Sequence, residues 1–195
     1  MMTVKQIERN WAGKLYERLF CDLVACRPEA GMTFESDGDW IAPAAAMALI
    51  RMDELMQSHV PLYGQLLRVL LSVQRADGSW GDPAATALCL RALLRGNGDG
   101  VAIQRGMDFL ARLQKPEGLW PKFPLRRMPE DALVSAFVLL ELGDQPLFQS
   151  AVRVADAVGW FKSNERFVGS VERDVWKSAV RRSRARDRVQ ELSWS

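Results

Sequence analysis

The chain has 195 residues, of which 48% are hydrophobic and 26% charged, and its formal net charge is +2. That length can bury a sizeable core, and the composition excludes a disordered, collagenous or disulfide-rich chain. The small net charge implies no partner by itself. The longest uncharged apolar run, near residues 41–50, is too short to cross a bilayer.

The cysteines Cys21, Cys26 and Cys89 form neither a CxxC motif nor a Cys/His cluster. We therefore expect free thiols in a helical core, no metal site and no cofactor. Free thiols fit a reducing compartment, and the charged start "MMTVKQIERNW" lacks the apolar run of a secretory signal. The sequence thus predicts a cytoplasmic protein.

Taken in chain order, the sequence predicts one all-α domain over residues 1–195. An N-terminal helix lies in 3–30, three helical-hairpin repeats cover 34–142, and helices with a basic end fill 143–195. Apolar residues at helical spacing and Gly or Pro breaks predict the individual helices, at 62–74, 83–96, 101–114, 145–164 and 171–192. No segment alternates like a strand.

Tryptophans recur every forty residues along the repeats, at Trp40, Trp80 and Trp120. Aligning "SDGDWIAPAAAMALIRM" with "ADGSWGDPAATALCLRA" without a gap also pairs Gly38 with Gly78. The third copy, which begins "LQKPEGLW", inserts several residues before its helix. A period of this length indicates stacked supersecondary units.

Two copies, Gln74-x-x-x-Gly78-x-Trp80 and Gln114-x-x-x-Gly118-x-Trp120, resemble the QW motif of squalene–hopene cyclases and of related terpenoid cyclases and protein prenyltransferases. In the first copy, Phe34 replaces the Gln, but Gly38 and Trp40 are kept. The resemblance covers roughly residues 34–142. It implies repeats of about forty residues in an α/α toroid, incomplete here because a full toroid has more helices than this chain offers.

The chemistry of these three residue types explains the pattern. A Gln amide at a helix end can bond terminal carbonyls and the next helix start. Gly permits a positive φ in the tight return, and Trp buries a large ring with one N–H to satisfy. We interpret the motif as a staple between neighbouring hairpins that performs no chemistry.

The family resemblance also implies an Asp-x-Asp-Asp motif whose middle acid donates a proton. The nearest match is "MPED", in which Glu130 takes the middle position and only Asp131 matches. Acids at a helix start are favoured by the helix dipole, so capping is the preferred interpretation, with Glu130 and Asp131 as the catalytic candidates. His59 is predicted in a loop and is not expected to bind zinc. Asp82 is predicted to cap the helix that starts at Pro83.

Five cations in the C-terminal segment "VERDVWKSAVRRSRARDRVQEL" follow one another at steps of three or four residues: Arg173, Lys177, Arg181, Arg184 and Arg188. They form one stripe if the segment is helical. Such a basic stripe is typical of a solvated helix face, of a surface for an acidic protein, or of a contact to nucleic-acid phosphates.

These observations favour a non-catalytic protein-interaction module, an adaptor or an inhibitor of another protein, on a terpenoid-cyclase-like scaffold. Its partner is another protein, or a second copy that meets the open edge of the repeats. The alternative is a small terpenoid- or prenyl-processing enzyme completed by dimerisation or by a partner chain. A weaker alternative is nucleic-acid association through the basic helix.

Overall fold

The structure, a computed structural model, describes residues 41–96, 98–125 and 127–193, with side chains to residue 182. These residues lie within one compact unit, Gly38–Ser195. This part of the chain contains eight α-helices: α1 (Ile41–Glu54), α2 (Pro61–Ser72), α3 (Pro83–Arg95), α4 (Gly100–Leu113), α5 (Ala132–Leu142), α6 (Pro146–Ala151), α7 (Val154–Asn164) and α8 (Ser170–Ser193).

The predicted all-α class is confirmed over the described residues. Their β-structure is limited to an isolated antiparallel bridge between Pro121 and Glu130. The predicted N-terminal helix at 3–30, Cys21, Cys26 and the first copy of the motif with Phe34, Gly38 and Trp40 lie outside the described residues. The division into three repeats therefore stays a prediction.

The helices pack in two rows. In one row α1 contacts α3, α3 contacts α5, and α5 contacts α8; in the other, α2 covers α1, α4 covers α3, and α6 contacts α4. The central helix α5 buries every residue from Ser135 to Leu142, as expected for a helix that is apolar on all sides. The basic helix α8 thus closes the end of the first row.

Carboxylates and prolines define the helix starts. Asp82 Oδ1 accepts a hydrogen bond from the Ala85 amide at 2.8 Å, as predicted for its cap of α3. Pro61 and Pro83 occupy the first turns of α2 and α3, where an amide N–H would have no helical partner.

The prediction of one continuous helix over 145–164 is wrong. The chain breaks between α6 and α7, where Val152 is extended with φ −131° and ψ 162°. The amide of Arg153 instead donates to Oε1 of Gln114 at 2.9 Å. A contact to a residue 39 positions earlier therefore interrupts the helix.

None of the helices in the described part of the chain combines the length and the apolar character that a bilayer crossing requires.

Candidate functional site

The two Q-x-x-x-G-x-W turns make equivalent hydrogen bonds through their glutamines. Gln74 Nε2 donates to Gly78 O and to Ala102 O, both at 2.9 Å. Gln114 Nε2 donates to Gly118 O at 2.9 Å and to Arg153 O at 3.1 Å. Each amide therefore links its own turn to the start of a later helix, α4 for Gln74 and α7 for Gln114.

The glycines of both turns lie against the backbone of that same helix. Gly78 has φ +90°, and a Cβ there would lie 2.3 Å from the carbonyl oxygen of Arg105. Gly118 has φ +86°, and its Cβ would lie 2.3 Å from the amide nitrogen of Ala157. Both the backbone conformation and the close approach require glycine.

The tryptophan rings of both turns are buried in the core. Trp80 is 2% exposed and Trp120 is fully buried. Trp80 Nε1 donates to Leu70 O at 2.7 Å, and Trp120 Nε1 donates to Leu110 O at 2.8 Å. The single polar group of each ring is thus bonded to the preceding helix, as a buried indole requires.

A hydroxyl completes each turn and was not identified from the sequence. The Trp80 amide donates to Thr86 Oγ1 at 3.1 Å, and the Trp120 amide donates to Ser135 Oγ at 2.8 Å. Both hydroxyl residues follow a capping aspartate by four positions, Asp82 and Asp131. That shared spacing is the signal that could have revealed them despite the insertion in the third copy.

The two candidate catalytic acids have different surroundings. Asp131 caps α5, because its Oδ1 accepts from the Val134 amide at 2.9 Å, and its own amide donates to Trp120 O at 2.9 Å. Glu130 is exposed, and its backbone forms the bridge to Pro121. Asp131 therefore caps the start of α5, whereas Glu130 is exposed to solvent.

The remaining titratable candidates do not converge on a metal site. His59 is exposed in the connection between α1 and α2. Cys89 is buried, and burial, with a smaller effect of the Asp82 charge, raises the pKa of its thiol well above the ordinary value. Across the described residues, no three His, Cys, Asp or Glu side chains are grouped so that they could hold a metal ion.

A buried carboxylate, Glu141, was missed by the sequence analysis. It is fully buried in α5, with Arg91 Nε of α3 at 3.2 Å and Arg182 Nη1 of α8 at 3.7 Å. Arg91 also donates to Glu141 O at 3.0 Å, and Arg182 donates to Leu140 O at 2.5 Å. A single Glu within the apolar run "ALVSAFVLLEL" was the available signal.

The predicted basic stripe lies on α8, where the structure describes the side chains of Arg173, Lys177 and Arg181. Arg173 donates to the carbonyls of Glu165 at 3.2 Å and Val168 at 3.1 Å. Lys177 Nζ lies 3.7 Å from the Glu165 carboxylate, and Arg181 is exposed. The side chains of Arg184 and Arg188 lie outside the described residues. Glu165, in the connection before α8, thus offsets part of the positive charge of this stripe.

Comparisons with known proteins give one distant similarity. No family model matches the chain, and no solved structure matches it at a significant level. The chain is 29% identical over 143 residues to drimenyl diphosphate synthase of Streptantibioticus cattleyicolor, an alignment covering 70% of this chain and 24% of the synthase. The chain therefore spans about a quarter of the length of that curated relative. This partial similarity and the all-helical structure are both consistent with a terpenoid-cyclase-like relationship.

Proposed function

We propose that this chain is a non-catalytic protein-interaction module, an adaptor or inhibitor of another protein, built on a terpenoid-cyclase-like helical scaffold. The observation that carries the proposal is the position of Asp131. It is the acid that matches the catalytic motif of the cyclases, and its carboxylate is bonded to the Val134 amide at the start of α5. Its role there is that of a helix cap.

The neighbouring positions support the same proposal. Met128 stands where the motif has its first Asp, so it supplies no carboxylate. Glu130, at the position of the proton donor, is exposed to solvent. A carbocation reaction requires a site that excludes water, and an acid on an open surface does not provide one.

In this proposal the two Q-x-x-x-G-x-W turns are structural staples of helical-hairpin repeats in a partial toroid. Their amides, indoles and glycines contact backbone atoms of the adjacent helices. The partner then binds at the open edge of the repeats or at the basic side of α8. Stacked repeats commonly present such extended surfaces.

A second candidate function is favoured by the similarity to drimenyl diphosphate synthase. In this alternative the chain processes a terpenoid or prenyl substrate, and its site is completed by a second copy or by a partner chain. Glu130 or Asp131 would then supply the acid. Similarity of scaffold alone does not choose between the two functions.

Turnover assays separate these functions. The purified chain is incubated with squalene, with geranylgeranyl diphosphate, and with a prenyl diphosphate plus an acceptor peptide, and products are measured by mass spectrometry. We expect no product. Affinity purification with cross-linking from the native cell should instead recover a protein partner.

A matched pair of variants controls the assay. Asp82 caps α3 as Asp131 caps α5, and Asn is also a good cap, so Asp82→Asn and Asp131→Asn should both fold. A product that persists in Asp82→Asn but vanishes in Asp131→Asn or Glu130→Gln would overturn the non-catalytic proposal.

A further inference from the structure

A groove lies between α7 and α8, and we call it the α7–α8 groove. One part is an apolar pocket of about 200 Å³. The residues that line it come from α5, α7 and α8, and include Leu139, Val154, Val158, Trp176, Ala179 and Val180. Lys162, whose side chain is exposed, also lines this pocket.

The other part of the groove is basic. A cleft of about 480 Å³ is lined by Glu165, Arg166, Arg173 and Lys177. Three of these four side chains are cations. The cleft lies where the chain leaves α7 and enters α8.

Sequence spacing relates the residues that line the pocket to those that line the cleft. On α7 and the turn after it, Val158, Lys162 and Arg166 follow one another by four residues. On α8, Arg173, Lys177 and Val180 follow by four and three. Residues three or four apart in a helix share one face, so Arg173, Lys177 and Val180 lie on one face of α8, and Arg166 follows Lys162 in the turn after α7.

An aromatic pair connects the two helices of the groove. Phe161 and Trp176 stack between the helices with ring centroids 4.8 Å apart and an interplanar angle of 11°. Phe167, in the connection before α8, and Val171, in its first turn, are 85% and 43% exposed. These exposed apolar side chains flank, in sequence, the residues that line the basic cleft.

The charges of the groove are available to an anionic partner. The two carbonyl bonds to Arg173 orient its guanidinium. Lys177 and Glu165 are each 48% exposed, so water and salt screen their ion pair strongly. A second carboxylate can therefore replace Glu165 beside Lys177 at little cost.

We infer that the α7–α8 groove binds an acidic segment of another protein, which inserts one leucine- or phenylalanine-sized side chain into the apolar pocket. Its carboxylates lie against Lys162, Arg166 and Lys177. The inference rests on the proposed interaction function and names the chemistry of the partner. The proposed site thus extends beyond the basic stripe of α8. It also includes the apolar pocket, Lys162 on α7 and Arg166 in the turn after α7.

The size and polarity of the groove favour this occupant over other anions. Pockets for whole small molecules usually measure about 300–1,000 Å³ and are mostly apolar, whereas the apolar pocket here measures about 200 Å³, enough for one side chain, and the larger cleft is lined by charged residues. A phosphodiester backbone offers no aliphatic side chain to fill it. A lipid surface is flat and would not enter a concave pocket between two helices.

A peptide-binding assay with the intact chain tests the inference. The probe is a fluorescein-labelled pool of short peptides in which glutamates flank one central leucine, and binding is followed by fluorescence anisotropy. Replacing the glutamates by glutamine, or the leucine by serine, should each weaken binding about tenfold, which corresponds to about 1.4 kcal/mol. Added salt should weaken binding of the acidic pool.

Variants locate the binding site. Lys162→Glu should weaken binding about tenfold, which is again about 1.4 kcal/mol, while Arg68→Glu, the same charge change at an exposed site on α2, should leave it unchanged. Val158→Trp should fill the pocket and remove the preference for leucine over serine. Circular dichroism verifies that each variant remains folded.

Two outcomes would overturn the inference. One is that the glutamine pool binds as tightly as the glutamate pool, and the other is that neither Lys162→Glu nor Val158→Trp changes binding of the peptides. The inference also fails if phosphatidylglycerol vesicles or a single-stranded oligonucleotide bind through Lys162 and the peptides do not. A cross-linked protein partner that binds Lys162→Glu as tightly as wild type would leave the proposed function standing but remove this groove from it.

Discussion

The indole Nε1–H of Trp80 donates a 2.7 Å hydrogen bond to the carbonyl oxygen of Leu70. Leu70 lies in the last turn of α2, where carbonyls have no partner within the helix. The buried ring of Trp80 thus also supplies a hydrogen-bond donor to a carbonyl at the end of α2. Trp120 Nε1 likewise donates to Leu110 O at 2.8 Å, although that carbonyl also accepts a hydrogen bond from the Gln114 amide at 3.1 Å.

Trp80→Ala should lower the free energy of unfolding by about 3 kcal/mol or more, because it removes a buried ring and a partner for Leu70 O. Trp120→Ala should behave in the same way. Phe167→Ala is the control, since this ring is 85% exposed and its loss should change stability by less than about 0.5 kcal/mol. Urea denaturation compares the three variants. An unchanged midpoint for Trp80→Ala would contradict the structural role of the turn.

Gly78→Ala and Gly81→Ala should separate backbone strain from steric conflict. Both glycines have positive φ, +90° and +115°, but only the Cβ at Gly78 would meet an atom within 4 Å, the carbonyl oxygen of Arg105. Gly81→Ala should cost about 1–3 kcal/mol for the backbone conformation, and Gly78→Ala should cost distinctly more. Thermal unfolding measures both losses, and equal losses would show that α4 can move away from the turn.

Asp77 should contribute a pH-dependent part of the stability. Burial raises the pKa of Asp77, but bonds from the Ser79 amide and hydroxyl at 2.9 and 2.7 Å, with the charges of Arg75 and Arg112, outweigh it and lower the pKa. The folded pKa lies below the ordinary value of 3.8. This contribution is therefore present above pH 3.8 and is lost as the pH falls through the folded pKa.

Asp77→Asn keeps an oxygen acceptor but cannot titrate. Compared with wild type, it should lose less stability between neutral pH and pH values below 3.8. Denaturation midpoints measured across that range test the difference. Parallel pH profiles for the two proteins would remove Asp77 from the acid response.

Neighbouring arginines on α8 should differ in their effect on stability. Arg182 contacts the buried carboxylate of Glu141 and the carbonyl of Leu140, whereas Arg181 is exposed. Arg182→Gln should lower the free energy of unfolding by about 2 kcal/mol, the scale of a hydrogen bond to a charged group. Arg181→Gln should change it by less than about 0.5 kcal/mol. If chemical denaturation gives the two variants the same free energy of unfolding, the contact between Arg182 and Glu141 does not stabilise the packing of α8 on the core.

Local chemistry made much of the architecture predictable. Prolines, glycines and capping aspartates mark helix starts and turns through interactions within a few residues, so the positions of α2, α3, α4 and α8 followed from the sequence to within two residues. The turn around Gly78 and Trp80 was recognisable for the same reason. Each of its residue types has a restricted backbone conformation or a polar group that must be satisfied.

Contacts between distant parts of the chain decided the rest. The break before Arg153 depends on Gln114, and the burial of Glu141 depends on Arg91, 50 residues earlier, and Arg182, 41 residues later. At the α7–α8 groove, Phe161 and Trp176, 15 residues apart, stack between two helices. Helical periodicity reveals which face of a helix is apolar, but not which neighbour covers it. That choice depends on the packing of the whole domain and on the pairing of its buried charges.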